Sequence, residues 1–116
     1  MHFSDYQYEA CTFIAFPEDA AVTYPLLALQ EEVGEVSGKV AKALRKGWLT
    51  GNALQVGRFP PGLLREVESE LGDVLWNVAV LAKGLGLSLE DIAIGNLDKL
   101  EARRYRGTII GEGDNR

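Results

Sequence analysis

Residues 61–84 read PGLLREVESELGDVLWNVAVLAKG, and this stretch decides the fold class. Leu64, Val67, Leu71, Val74, Val78 and Leu81 follow one another at steps of three and four. That recurrence lines one face of an α-helix and is incompatible with the two-residue alternation of a half-buried strand. The helix is expected to follow Pro61 and to reach about Gly84. Upstream, Leu29, Val33, Val36, Val40 and Ala43 repeat the same spacing. They predict a helix from Pro25, a favoured first-turn residue, to Gly47, a natural stop. Between the two, Trp48 to Pro60 reads as a loop, because Gly51, Asn52, Gly57 and Pro60 punctuate it and no period survives. Ser88, with Asp91 three positions on, caps a further helix through Leu89, Ala93, Leu97 and Leu100 that ends near Gly107. A first helix is placed from about Asp5 to Ala15, capped by Ser4 or Asp5 and halted by Pro17. No segment shows convincing strand alternation, so the fold class is all-α, a four-helix arrangement.

A chain of 116 residues with 47% apolar content is the size of one domain. Residues 1–107 are expected to form it, and the polar, Gly-containing stretch 108–116 to be a flexible tail. A core this small favours further burial between copies, so a homo-oligomer is expected. The net charge of -5 argues against a partner such as a nucleic-acid polymer, whose binding draws on clustered Lys and Arg. Cys11 is the sole cysteine, which excludes an intrachain disulfide and a cysteine-based zinc site. No secretory pattern occupies Met1 to Phe13 and no apolar run is long enough to span a membrane, so a cytoplasmic location is expected.

The two central helices share a pattern. Glu32-Val33-Gly34-Glu35-Val36 and Glu70-Leu71-Gly72-Asp73-Val74 each run acid, apolar, Gly, acid, Val. Acids three apart fall on one side of a helix, here beside the apolar seam. If the helices pack antiparallel along their seams, both acidic pairs converge at one level. Like charges so close repel one another unless they take up protons or a cation. All-oxygen ligation points to Mg²⁺, with Mn²⁺ as the other candidate, and the lack of His or Cys partners disfavours zinc. Glu31 adds a carboxylate one turn before Glu35, able to bind a second metal or to orient a water. A single E-x-x-E is ordinary solvent-facing surface, whereas two matched copies flush against two seams are far more specific. Gly34 and Gly72, costly inside helices, signal close backbone approach. Gly34, Ser37, Gly38 and Ala41 make a small-residue face that suits a second helix contact across a subunit interface.

These residues resemble the MazG-like superfamily of all-α nucleoside triphosphate pyrophosphohydrolases, whose hallmark is E-E-x-x-E followed on a later helix by E-x-x-D. The matching residues are Glu31, Glu32, Glu35, Glu70 and Asp73. The likeness continues through Asp73-Val74-Leu75-Trp76-Asn77 and Asn96-Leu97-Asp98-Lys99-Leu100 with Arg103, covering roughly Leu26 to Gly107. The gap from Glu35 to Glu70 is longer than is usual for that family. The resemblance implies a Mg²⁺-dependent hydrolysis of (d)NTPs between the α and β phosphates, giving monophosphate and pyrophosphate, with nucleotide-pool house-cleaning as the purpose. Glu32, Glu35, Glu70 and Asp73 would hold metal, and Glu31 or Glu35 would act as the base. Asn77, one turn beyond Asp73, would meet sugar or phosphate. Asn96, Lys99 and Arg103, spaced by three and four, would meet phosphates that the metals do not reach. Trp48, Phe59 and Trp76 are candidates to stack on a base, the loop residue Trp48 foremost, while Trp76 fits core or interface. Relatives sharing this architecture act on dUTP and on phosphoribosyl-ATP, so a dUTP-specific pyrophosphatase is the alternative within the class. A non-enzymatic helical oligomer is the alternative outside it. A di-iron bundle would require Glu-x-x-His on two helices, and the single histidine is His2. The resemblance implies a homodimer or homotetramer.

Overall fold

The computed structural model describes residues 1–52 and 58–113, and every regular element among them is helical. Four α-helices follow in order: α1 (Phe3–Cys11), α2 (Thr23–Arg45), α3 (Pro61–Gly84) and α4 (Leu89–Arg106), with a 3-10 turn at Glu18–Ala20 ahead of α2. The all-α expectation holds. Local chemistry sets the ends of the last three helices. Pro61 occupies the first position of α3, where its missing N–H leaves no bond unmade. The Ser88 hydroxyl accepts the Asp91 N–H at 3.2 Å to open α4. Gly47 and Gly107 sit just past α2 and α4 at φ of 73° and 72°, backbone that favours glycine.

The first helix departs from expectation, starting two residues before Asp5 and stopping at Cys11 rather than Ala15. His2 is its N-cap, with the Asp5 carboxylate accepting the His2 N–H at 2.9 Å. Ser4, expected to cap, lies within the first turn, and its own N–H donates to Glu90 Oε2 at 3.0 Å. At the far end the Thr12 hydroxyl donates to the Glu9 carbonyl, a local bond that competes with helix continuation.

α2 and α3 make the main helix contact and run antiparallel. Ala43 clusters with Leu63, Glu32 meets Asp73, and Ala21, just ahead of α2, abuts Gly84. The steps from 21 to 32 to 43 are each about three helical turns, and the partner positions fall in near-equal steps from 84 to 73 to 63. The buried strip is offset from the expected seams. Leu63 is buried while its neighbour Leu64 is 49% exposed, and Val33 and Leu71 are 47% and 53% exposed. Small residues explain the offset: Ala43, Ala79 and Ala82 are buried where the helices close on one another, leaving larger side chains turned outward. Among the described residues nothing stands within 4 Å of where a Cβ of Gly34, Gly38 or Gly72 would lie, so the close approach expected at Gly34 and Gly72 does not occur among them.

α1 packs on α3 and α4. Ala10, Ala79 and Leu89 form the cluster there, with Tyr6, Trp76 and Val78 against it. Trp76 Nε1 donates to the Ala10 carbonyl at 3.0 Å, the core role expected of that side chain. The Gln7 amide donates to the carbonyls of Ala79 and Leu87 and accepts the Leu89 N–H, each at 3.1 Å, tying α1 to the α3–α4 turn. In the expected loop, Gly51 and Asn52 already have helical backbone, and 53–57 lie outside the described residues. The Thr108 N–H donates to the Arg103 carbonyl at 2.9 Å, and residues 114–116 of the expected tail lie outside the described residues. Among the described residues no helix is long and apolar enough to cross a membrane.

Candidate metal centre

The antiparallel register carries one acid of α2 to both acids of the α3 motif. Glu32, Glu70 and Asp73 each bring a carboxylate oxygen to within 4.8 Å of the others, Glu32 and Glu70 half-buried and Asp73 exposed. Helix geometry alone explains the meeting: each motif flanks its seam, and antiparallel packing puts both flanks on one side. The cost shows at Glu32, whose carboxyl is held above the usual carboxylate range by partial burial and then by the charges of Asp73, Glu70, Glu31 and Glu35. A hard divalent cation would relieve that repulsion, and three carboxylates with room for water are a donor set that fits Mg²⁺ or Mn²⁺.

Glu35 and Glu31 are exposed and stand outside this trio, though near enough for both charges to act on Glu32. Two further side chains interact electrostatically with the site. Lys39 Nζ stands 3.3 Å from Glu70 Oε1. Its ammonium is held above its ordinary value by the hydrogen bond to Glu70 and the charge of Glu70, against some desolvation, with Glu66 and Glu35 adding to the effect. From α1, the Tyr6 hydroxyl is raised by burial and then by the charge of Asp73. Lys39 was within reach of sequence reading, since it continues the stripe Glu32, Glu35 at the next helical step. Tyr6 was not, because nothing local ties a residue of α1 to one in the middle of α3.

Asn77 is buried, its amide donating to the Asp73 carbonyl at 3.0 Å, and its Oδ1 is buried without a hydrogen-bond partner among the described residues. Trp48 is 60% exposed, with Lys46 Nζ 5.5 Å above its ring. It lines a cavity of about 350 Å³ together with Lys39, Lys42, Leu63 and Glu66. Phe59, by contrast, is partly buried and packs against the cluster of Ala43, Leu49 and Leu63. Asn96 and Lys99 are exposed on α4, whereas Arg103 is buried. α4 has α1 and α3, the helix of Glu70 and Asp73, as its main neighbours.

Residues 23–107 match the family described as MazG nucleotide pyrophosphohydrolase domain. The chain belongs to that family. The MazG match takes in α2, α3 and α4, and so all three convergent carboxylates, while α1 and its Tyr6 lie ahead of it. Among similar proteins, the "Gene 37 protein" of Mycobacterium phage L5 is 36% identical over 122 aligned positions spanning all of both chains. The "Uncharacterized protein YvdC" of Bacillus subtilis (strain 168) is 34% identical over 77 positions, 60% of this chain and 66% of that one. No solved structure matches the chain. MazG membership and the acidic trio agree: the family is one of nucleotide pyrophosphohydrolases, and the three acids form a possible metal-binding group.

Proposed function

We propose that this chain is a Mg²⁺-dependent hydrolase of nucleoside triphosphates that cleaves between the α and β phosphates, with Mn²⁺ able to substitute. The observation that carries the reading is the meeting of Glu32 with Glu70 and Asp73 across the α2–α3 contact of a MazG-family chain. Glu32, Glu70 and Asp73 hold the metal, and Glu35, one turn along α2, joins them or serves as base. The divalent cation, when bound, screens the phosphate charge and makes a water acidic enough to attack near neutral pH. The carboxylate of Glu31 or Glu35 takes the proton of the attacking water. The bond to the bridging oxygen breaks, and nucleoside monophosphate and pyrophosphate leave. Asn77 supports the Asp73 turn and meets sugar or phosphate, Trp48 stacks on the base, and Asn96, Lys99 and Arg103 contribute to phosphate binding. Clearing unwanted nucleotides from a cytoplasmic pool is the purpose that fits. The catalytic unit is 1–107, working as a homodimer or homotetramer.

Incubation with each nucleoside triphosphate, dUTP included, in the presence of Mg²⁺ tests this. Monophosphate and pyrophosphate are the expected products. A metal clamp contributes several kcal/mol of charge stabilisation, so Glu70→Gln and Asp73→Asn should each lower turnover by about 10²-fold or more while remaining folded. Release of orthophosphate in place of pyrophosphate, or full activity in the Asp73→Asn protein, would refute the assignment.

A further inference from the structure

Glu32, Glu35 and Lys39 lie at steps of three and four along α2, so the ammonium of Lys39 continues the acidic stripe. Its Nζ is 3.3 Å from Glu70 Oε1, and Glu70 is also one of the three carboxylates gathered within 4.8 Å. One side chain thus belongs to an ion pair and to the candidate metal centre. A carboxylate bonded to an ammonium already has part of its charge compensated and is the poorer ligand for a divalent cation. The lysine has a way out. Its stem is flexible and its three donors rotate freely. Its side chain is 32% exposed against 16% for Glu70, and it forms part of the wall of the 350 Å³ cavity that also holds Lys42 and Trp48. Glu66 lies on the same cavity wall.

We propose that Lys39 is a displaceable counter-ion: it neutralises Glu70 while the site is empty of metal, yields Glu70 to the metal, and then binds the terminal phosphates of the nucleotide. The proposal rests on the functional reading above and adds an order to it, metal before nucleotide. A triphosphate remains negatively charged after one divalent cation has bound, and it is a stronger acceptor for an ammonium than a carboxylate shared with a metal. Lys39 therefore does not touch the reacting bond. It positions the leaving pyrophosphate.

Limited acetylation of the full-length protein, with each lysine followed by mass spectrometry and Lys83 as internal reference, tests the exchange. Lys39 should be protected without metal, acetylated several-fold faster once Mn²⁺ binds, and protected again when a non-hydrolysable α,β-methylene nucleotide is added. In the Glu70→Gln protein it should be reactive from the start. Mn²⁺ binding is followed in parallel by electron paramagnetic resonance. A Lys39→Met variant should bind Mn²⁺ about tenfold tighter and the analogue about tenfold weaker, with Lys39→Arg restoring analogue binding. Mn²⁺ binding with no change in Lys39 reactivity overturns the exchange and leaves the metal centre standing. Failure of the unaltered protein to bind Mn²⁺ overturns the metal centre itself, and the exchange with it.

Discussion

Gly84 and Gly95 stand in opposite surroundings. A Cβ added at Gly84 would lie 2.1 Å from the carbonyl oxygen of Ala21, whereas at Gly95, inside α4, it would meet nothing within 4 Å among the described residues. Alanine in an exposed helix interior is favoured over glycine by about 1 kcal/mol. Against a backbone oxygen that gain is outweighed, because the chain leading into α2 would have to move, at a cost of about 1–3 kcal/mol. Gly84→Ala is thus expected to destabilise by about 1–3 kcal/mol and Gly95→Ala to stabilise by up to about 1 kcal/mol, measured by urea unfolding. Equal effects at the two positions would contradict the register of α2 on α3. Glycine identity alone did not reveal this difference. Gly34 and Gly72 looked like points of close approach, yet the approach within the chain falls at Gly84, where the sequence showed only a helix stop. Phe59 and Trp48 are alike on paper, and burial separates them. The acids were legible because their spacing is itself the geometry. The Oδ1 of Asn77, buried and without a partner among the described residues, could be found only in three dimensions.

α1 is short, and its start is fixed by contacts from far along the chain. Glu90, in the first turn of α4, accepts the N–H of Ser4, a group no partner within α1 can satisfy. Hydrogen bonds from Ser4 and, more weakly, the charge of His2 hold the Glu90 carboxyl below its ordinary value, against slight desolvation. A carboxylate lowered on folding contributes stability that is present above its unfolded pKa and disappears as pH falls through the lowered folded value. Glu90→Gln should therefore lower the melting temperature at pH 7. The gap from the unaltered protein should shrink as pH falls from about 4, the ordinary carboxylate range, through the lowered value of Glu90. A gap of constant size across that range would show that the charge of Glu90 does not cap α1. This dependence also explains why the start of α1 was not legible locally; the start of α2 is likewise shifted, to Thr23, two residues ahead of Pro25. Pro61, Ser88, Gly47 and Gly107 announce the ends of α2, α3 and α4 from within a few residues, whereas the cap on Ser4 comes from α4.

The whole chain is more open than its length requires. Its radius of gyration is 17.2 Å, where a compact domain of this length has about 13 Å. It exposes 8361 Å², against about 6,200 Å² for a compact monomer of this mass. The excess of about 2,000 Å² is more than twice what one partner buries in a standard interface, which is about 800 Å². Exposed apolar side chains on the helices are part of it. Leu64, Leu71 and Leu75 make one exposed stripe along α3, and Leu26, Val33 and Leu44 another along α2, on which Gly34, Gly38 and Ala41 offer room for a close neighbour. Four of the eight buried apolar residues among those described are alanines, so the core within one chain removes little apolar surface from water. The periodicity read from the sequence located the two helices but not the buried strip, since Val33, Leu64 and Leu71 are exposed, and spacing alone cannot tell a face turned to a helix of the same chain from one turned elsewhere. If a second copy covers the α3 stripe, Leu71→Lys buries an unpaired charge there. The loss of at least about 2 kcal/mol expected of an interface hot spot weakens association by about 30-fold or more. Sedimentation velocity across a concentration series should show the unaltered chain as a dimer or larger and the Leu71→Lys chain shifted toward monomer with its helical content kept. A monomeric unaltered chain, indifferent to that substitution, would mean that the stripe is open to water and that the site of Glu32, Glu70 and Asp73 must work within one copy.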